Sequence, residues 1–123
     1  MNLRDSIFAA QIGRPQTDAN GAAIFEFCFR ANDSVFAGHF PNRPLLPGIF
    51  QLEMARVAAE NMLNCPLTVR EICRAKFQRP VLPDEIVRVE LKLSETDGIV
   101  QVRANFSVGG QAAGETVLWL CRK

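Results

Sequence analysis

The chain has no tyrosine, one tryptophan and one histidine. The scarcity of histidine excludes a good deal. A single imidazole cannot complete the usual zinc spacings, and any Cys-His or Ser-His catalysis has to pass through His39. No G-x-S-x-G nucleophile elbow is present. The four cysteines, Cys28, Cys65, Cys73 and Cys121, form no C-x-x-C pair. They read as four reduced, mostly buried thiols. Excess charge is missing as well. Fourteen basic against thirteen acidic side chains leave a net charge of +1, which gives no signal for nucleic acid or a membrane surface. No apolar run approaches the roughly 20 residues of a membrane span. The opening MNLRDSIFAAQIG places Asp5 close to Arg4 and lacks the apolar core of a signal peptide. The reading is a cytoplasmic protein with no membrane span, no nucleic-acid partner, and no metal or organic cofactor. Repeats and low-complexity segments are absent.

What is present suits one domain over residues 1–123, with 48% hydrophobic residues to build its core. Ser6–Gly13 reads as a first strand. Gly13–Gly21 is a turn cluster in which Asn20-Gly21 signals a hairpin. In Ala23–Arg30, Phe25, Phe27 and Phe29 alternate with Ile24, Glu26, Cys28 and Arg30, the pattern of a half-buried strand. Ala31–Leu46 is a loop. A helix follows from about Pro47, a residue suited to the first helical position, to Asn64. Cys65-Pro66 ends it. At 100° per residue, Ile49, Leu52, Ala59 and Leu63 share a face, and Phe50, Met54 and Ala58 lie opposite. Only a narrow stripe of Glu53, Arg56 and Glu60 is charged, so the helix is expected to be covered on more than one side. Four strands then follow at about Thr68–Arg79, Ile86–Glu95, Ile99–Val108 and Ala112–Arg122. Asp97-Gly98 and Gly109-Gly110 mark hairpin turns. Two strands, one enclosed helix and four antiparallel strands make an α+β layout. The apolar excess of the helix points to a second subunit.

The chemistry concentrates in GHFPNRPLLPGIFQLE, residues Gly38 to Glu53. Leu46 stands where a capping Ser, Thr, Asp or Asn would normally be, and Pro47 has no N–H. The donors at Gly48 and Ile49 are therefore either capped by water or left for a substrate oxygen that becomes negative. His39 is either a structural histidine or a base poised near neutral pH. Glu53 is either ion-paired with Arg56 on a wet face or a protonated acid in an apolar pocket. Together, a base, an acid and a helix end with free donors are the parts needed to remove a proton beside a carbonyl and expel a neighbouring hydroxyl.

His39-Phe40-Pro41, Pro44, Pro47-Gly48 and Glu53 follow an H-F-P-x-x-P-x-x-P-G-x-x-x-x-E pattern, and Ala75–Pro83 reads AKFQRPVLP. In both, the chain resembles the FabZ-type β-hydroxyacyl-acyl-carrier-protein dehydratases over roughly Phe27 to Glu90. The resemblance implies a hotdog fold, a long central helix wrapped by a curved antiparallel sheet of about six strands. It implies loss of water from a 3-hydroxyacyl thioester to give a trans-2-enoyl thioester. His39 takes the α-proton, Glu53 assists the departing hydroxyl, and the Gly48 N–H holds the thioester carbonyl, with Phe40 and Pro47 lining the substrate. The partners implied are an acyl carrier protein bearing a 3-hydroxyacyl chain and a second copy of the chain, as a homodimer or a higher assembly such as a trimer of dimers. The histidine and glutamate then meet across the dimer interface. Arg70, Arg74 and Lys76, on one strand face by alternation, and Arg43 in the loop are candidates for docking the acidic carrier; a merely solvated strand face is the alternative. A hotdog acyl thioesterase and a non-catalytic acyl- or carrier-binding module are the competing functions. Against the family pattern, the chain starts too late for the leading helix and lacks the L-P-H-R-Y-P-F-type stretch. It has no tyrosine to gate an acyl tunnel, and Val57 stands where the family often has glutamine. The pathway stays open between fatty acid synthesis and specialised lipid, polyketide or polyene synthesis.

Overall fold

The computed structural model of the chain describes residues 3–32, 36, 46 and 48–123. In chain order it forms α1 (Leu3–Ala10), β1 (Gln16–Thr17), β2 (Ala23–Cys28), α2 (Gly48–Leu63), β3 (Leu67–Phe77), β4 (Ile86–Thr96), β5 (Ile99–Val108) and β6 (Gln111–Arg122). The strands make one antiparallel sheet in the order β1-β2-β4-β5-β6-β3. The long helix α2 packs on one face of it. This is the expected α+β hotdog arrangement.

Alternation builds the core. Phe25 and Phe27 of β2, Val87, Val89 and Leu91 of β4, Val102, Ala104 and Phe106 of β5, and Leu118 and Leu120 of β6 all turn to the helix side and are buried. Met54, Ala55, Val57, Ala58 and Ala59 of α2 are buried against them. The small alanines let the helix approach the sheet closely. The two hairpin turns form as expected, with positive φ at Asp97, Gly98, Gly109 and Gly110, as a two-residue connection of matching twist requires. Asn64, also left-handed, terminates α2 one residue before Cys65-Pro66. At the first hairpin, Asp18 Oδ1 accepts the N–H groups of Asn20 and Ala22 at 2.8 and 2.9 Å. The short strand β1 thereby grows out of the turn cluster.

The N-terminus corrects two expectations. Ser6–Gly13 is not a strand, and the chain does have a leading helix, α1. Ser6, Ile7 and Ala10 are buried while Asp5, Phe8 and Ala9 are exposed, which is a helical period. A short apolar run does not separate the two periods by itself. Packing against α2, with Arg4 reaching Glu60, selects the helix. The thiols also differ from expectation. All four cysteines are free, but Cys73 is exposed and the other three are only half-buried. Ile49, placed with the covered face of α2, is 54% exposed.

Gly114 of β6 lies under the first turns of α2. A Cβ there would stand 2.7 Å from Gln51 Oε1 and 2.7 Å from the Lys76 carbonyl oxygen. The second neighbour is backbone and cannot step aside. Gly114→Ala is therefore expected to destabilise the fold by about 1–3 kcal/mol, the usual cost of overpacking. Urea unfolding should show a lower midpoint with an unchanged slope.

Candidate active site

Of the residues assigned to the site, His39, Phe40, Arg43 and Pro47 lie outside the described residues. Gly48, Glu53, Arg70, Arg74 and Lys76 lie inside. Gly48 opens α2, and the first turn carries no acidic residue. Among the described residues, no side-chain oxygen caps its N–H groups. Leu46, two residues earlier, is buried and donates its N–H to the Val81 carbonyl at 2.9 Å. The helix start carries a partial positive charge, and its first N–H groups have no side-chain acceptor among the described residues. The ring of Phe77 lies directly on Gly48, 2.7 Å from where a Cβ would stand. Only glycine fits that contact without moving the ring.

The R-P-V-L-P stretch explains how this start is held. Arg79 forks onto Glu85 at 3.1 and 2.8 Å, and Glu85 Oε1 also accepts the Leu82 N–H at 2.8 Å. Asp84 donates its N–H to the Phe29 carbonyl at 2.8 Å. The clasp fixes Val81, and Val81 fixes Leu46. Arg79 and Glu85 were not singled out from the sequence. Their six-residue separation across two prolines matches no local pairing rule.

Glu53 lies in the second turn of α2, four-fifths buried, and is not on a wet face. Arg56 grips it through both oxygens, Nε to Oε2 at 2.5 Å and Nη2 to Oε1 at 2.8 Å. The same guanidinium gives Nη1 to Glu60 Oε2 and to the Leu67 carbonyl, each at 3.2 Å. Glu60 is 5% exposed. It also accepts the Leu67 N–H at 2.7 Å and pairs with Arg4 of α1. The hydrogen bond to Glu53 pushes the Arg56 pKa up, against the opposing effect of burial. Of the two readings open for Glu53, the ion pair is the one that forms. The stripe that could have been a wet face is a largely buried network joining α1, α2 and the start of β3. Sequence reasoning also missed Gln51, 2% exposed, whose Oε1 has no hydrogen-bond partner among the described residues.

The pairing of β3 is not regular along its length. Register shifts between Val69 and Glu71 and between Ile72 and Arg74 break the alternation. Arg70 falls at the first of them. Arg74 and Lys76 stand opposite Val117 and Glu115 on the face away from α2, and Arg74 pairs with Glu115.

The family model for ApeI-like proteins, described as ApeI dehydratase, matches residues 15–115. The chain belongs to the ApeI-like dehydratase family. Among curated relatives, a 3-hydroxyacyl-[acyl-carrier-protein] dehydratase FabZ from Pelotomaculum thermopropionicum is 35% identical over 94% of this chain and 84% of its own length. The FabZ of Desulforamulus reducens is 38% identical over 72% of this ApeI-like chain and 68% of its own. The dehydratase heterocomplex ApeI:P from Xenorhabdus doucetiae superposes with a TM-score of 0.75 at 26% identity, covering 91% of this chain and 96% of the other. A hypothetical thioesterase with coenzyme A from Streptococcus pneumoniae superposes at 0.72 over 98% and 94% of the two chains, but at 6% identity it shows the shared fold alone. In this ApeI-like chain Val57, at the position of the family's glutamine, is buried in the core.

The clasp carries a pH signature. The Arg79 hydrogen bond, helped by the Leu82 N–H and opposed by burial, holds the Glu85 carboxyl below its ordinary value. A lowered folded pKa stabilises the fold above the unfolded value, about 4.3, and that contribution disappears as pH falls through the folded value. Glu85→Gln should therefore be less stable than wild type at pH 7. The gap should close on acidification below about pH 4, as followed by thermal melting.

Proposed function

We propose that this chain removes water from 3-hydroxyacyl thioesters carried on acyl carrier protein, yielding trans-2-enoyl thioesters. The observation that carries this reading is the family match across residues 15–115. The helix that starts at Gly48, with no side-chain cap among the described residues and Glu53 in its second turn, supports it. In this reading the His39 imidazole takes the proton from the carbon next to the thioester carbonyl. Charge building on the carbonyl oxygen is met by the Gly48 N–H and the positive helix end, the largest kind of term in such steps. The carbon–oxygen bond at position 3 then breaks, and the imidazolium of His39 returns its proton to the departing hydroxyl. This leaves as water while the Glu53 carboxylate orients it by accepting its hydrogen bond, and the electrons of the broken carbon–hydrogen bond close the double bond. The step is redox-neutral. Phe40 and Pro47 belong to the same substrate wall.

Two copies are needed in this reading. Beyond Leu67, β3 is an exposed edge strand. Its helix-side residues Val69, Ile72 and Phe77 stand opposite the buried or glycine positions Leu120, Leu118 and Gly114, yet are 41%, 51% and 48% exposed. An unpaired apolar edge of this kind invites strand addition. We place a second copy there, as a homodimer or a trimer of dimers, with His39 and Glu53 contributed from opposite subunits. Free thiols on all four cysteines are consistent with a reducing cytoplasm. No helix among the described residues is long and apolar enough to cross a membrane.

The test is incubation of 3-hydroxyacyl carrier protein with the protein, followed by mass spectrometry. Wild type should lose the mass of one water, and His39→Ala and Glu53→Gln should each slow this by roughly 10²–10⁴-fold, the usual worth of a positioned acid or base. Free thiol with no enoyl product would establish the thioesterase instead.

For carrier docking, Arg70, Arg74 and Lys76, with Arg43 in the loop, remain the proposed contacts, since docking surfaces for acidic partners work by charge complementarity. Arg74→Glu together with Lys76→Glu should raise KM for carrier-linked substrate and leave turnover of the same acyl group on a short pantetheine thiol unchanged. Equal effects on both substrates would refute docking.

A further inference from the structure

Resting on the dehydratase reading, we infer that Arg56 is the positioning residue for Glu53 and that it acts through that carboxylate alone. Glutamate reaches its target through three rotatable bonds, and ordering them costs entropy unless something holds the carboxyl. Arg56 supplies that hold. Its Nε and Nη2 meet the two oxygens of Glu53 in parallel, the fork geometry that fixes direction as well as distance. The fork is fixed in turn. Its Nη1 is bound to Glu60 and to the Leu67 carbonyl, so four of the five N–H donors of a guanidinium are committed. Glu60 is anchored from the other side by the Leu67 N–H and Arg4. The chain of support runs from α1 and the first residue of β3, through Glu60 and Arg56, to Glu53. Arg56 is only 12% exposed and has one N–H left to offer a ligand, so it steers the carboxylate without binding substrate. A lysine could not do this. Its ammonium is a point charge without the planar fork.

The consequence is a split between turnover and binding. A misaimed Glu53 slows the departure of the hydroxyl without altering how the acyl chain is held. Arg56→Ala should lower kcat by roughly 10–100-fold, the scale of a misplacement of about 1 Å, and leave KM within about threefold. Millimolar guanidinium should restore part of the loss, and Arg56→Lys should fall between the alanine variant and wild type. In a Glu53→Gln background, Arg56→Ala should cost no further rate, because a residue acting only through Glu53 has nothing left to act on. Arg56→Ala also takes one of the partners of the buried Glu60, leaving it Arg4 and the Leu67 N–H, so circular dichroism and melting accompany each assay; where the alanine variant does not fold, Arg56→Lys is carried through the same cycle. Wild-type kcat in the Arg56 variant, or an equal loss with and without the Glu53 carboxylate, overturns the inference and leaves the dehydratase intact. A wild-type protein that eliminates no water overturns the dehydratase and this inference together.

Discussion

A helix buried against a sheet has to account for every charge it carries. α2 carries three in its central turns, and Glu60 and Arg56 are both withdrawn from water. An unpaired buried charge costs several kcal/mol, so the network is a condition of the fold. It is met by recruiting neighbours. Glu60 takes Arg4 from α1 and the Leu67 N–H from β3, and Arg56 spends what remains on the Leu67 carbonyl and Glu53. One arrangement therefore docks the leading helix, sets where β3 starts and aims the candidate catalytic carboxylate. The alanines at 55, 58 and 59 allow it by bringing the helix close enough to the sheet for such short links.

The strands were legible because their signal is local. β4, β5 and β6 alternate residue by residue and are joined by Asp-Gly and Gly-Gly turns, so their bounds fall within a residue or two of expectation. The end of α2 was legible because Pro66 forbids its continuation. α1 was not legible. Ile7-Phe8-Ala9-Ala10 is apolar at every position, and only the presence of α2 decides which of its faces is covered. The same holds for the charged stripe. Spacing shows that Glu53, Arg56 and Glu60 share a side of the helix, but not that Leu67 and Arg4 close over it. The register shifts along β3 were not legible for a related reason. Two bulges sit in β3, and nothing in its composition announces them.

For the site, the H-F-P…P-G…E motif was the most informative line in the sequence, and its described half, Gly48 to Glu53, supplies a helix start with no side-chain cap among the described residues and a gripped carboxylate. The Arg79–Glu85 clasp shows why the second motif accompanies the first. The prolines of R-P-V-L-P stiffen a loop whose Val81 carbonyl receives the Leu46 N–H just before the helix begins. The two motifs lie apart in the chain and are joined by the backbone hydrogen bond from Leu46 to Val81.

The Gly48–Phe77 contact joins the site to the sheet edge. Phe77 ends β3 on the helix side with its ring pressed on the first residue of α2. Its exposed remainder faces the same direction as Ile72 and Val69. Whatever covers that edge therefore also covers the mouth of the helix where the oxyanion would form. Excluding water there strengthens every donor at the helix start, because the same dipole acts in a lower dielectric. An exposed apolar edge is a liability for an isolated chain. Beside a helix end that works better dry, it gives the proposed pairing of two copies a catalytic reason as well as a structural one.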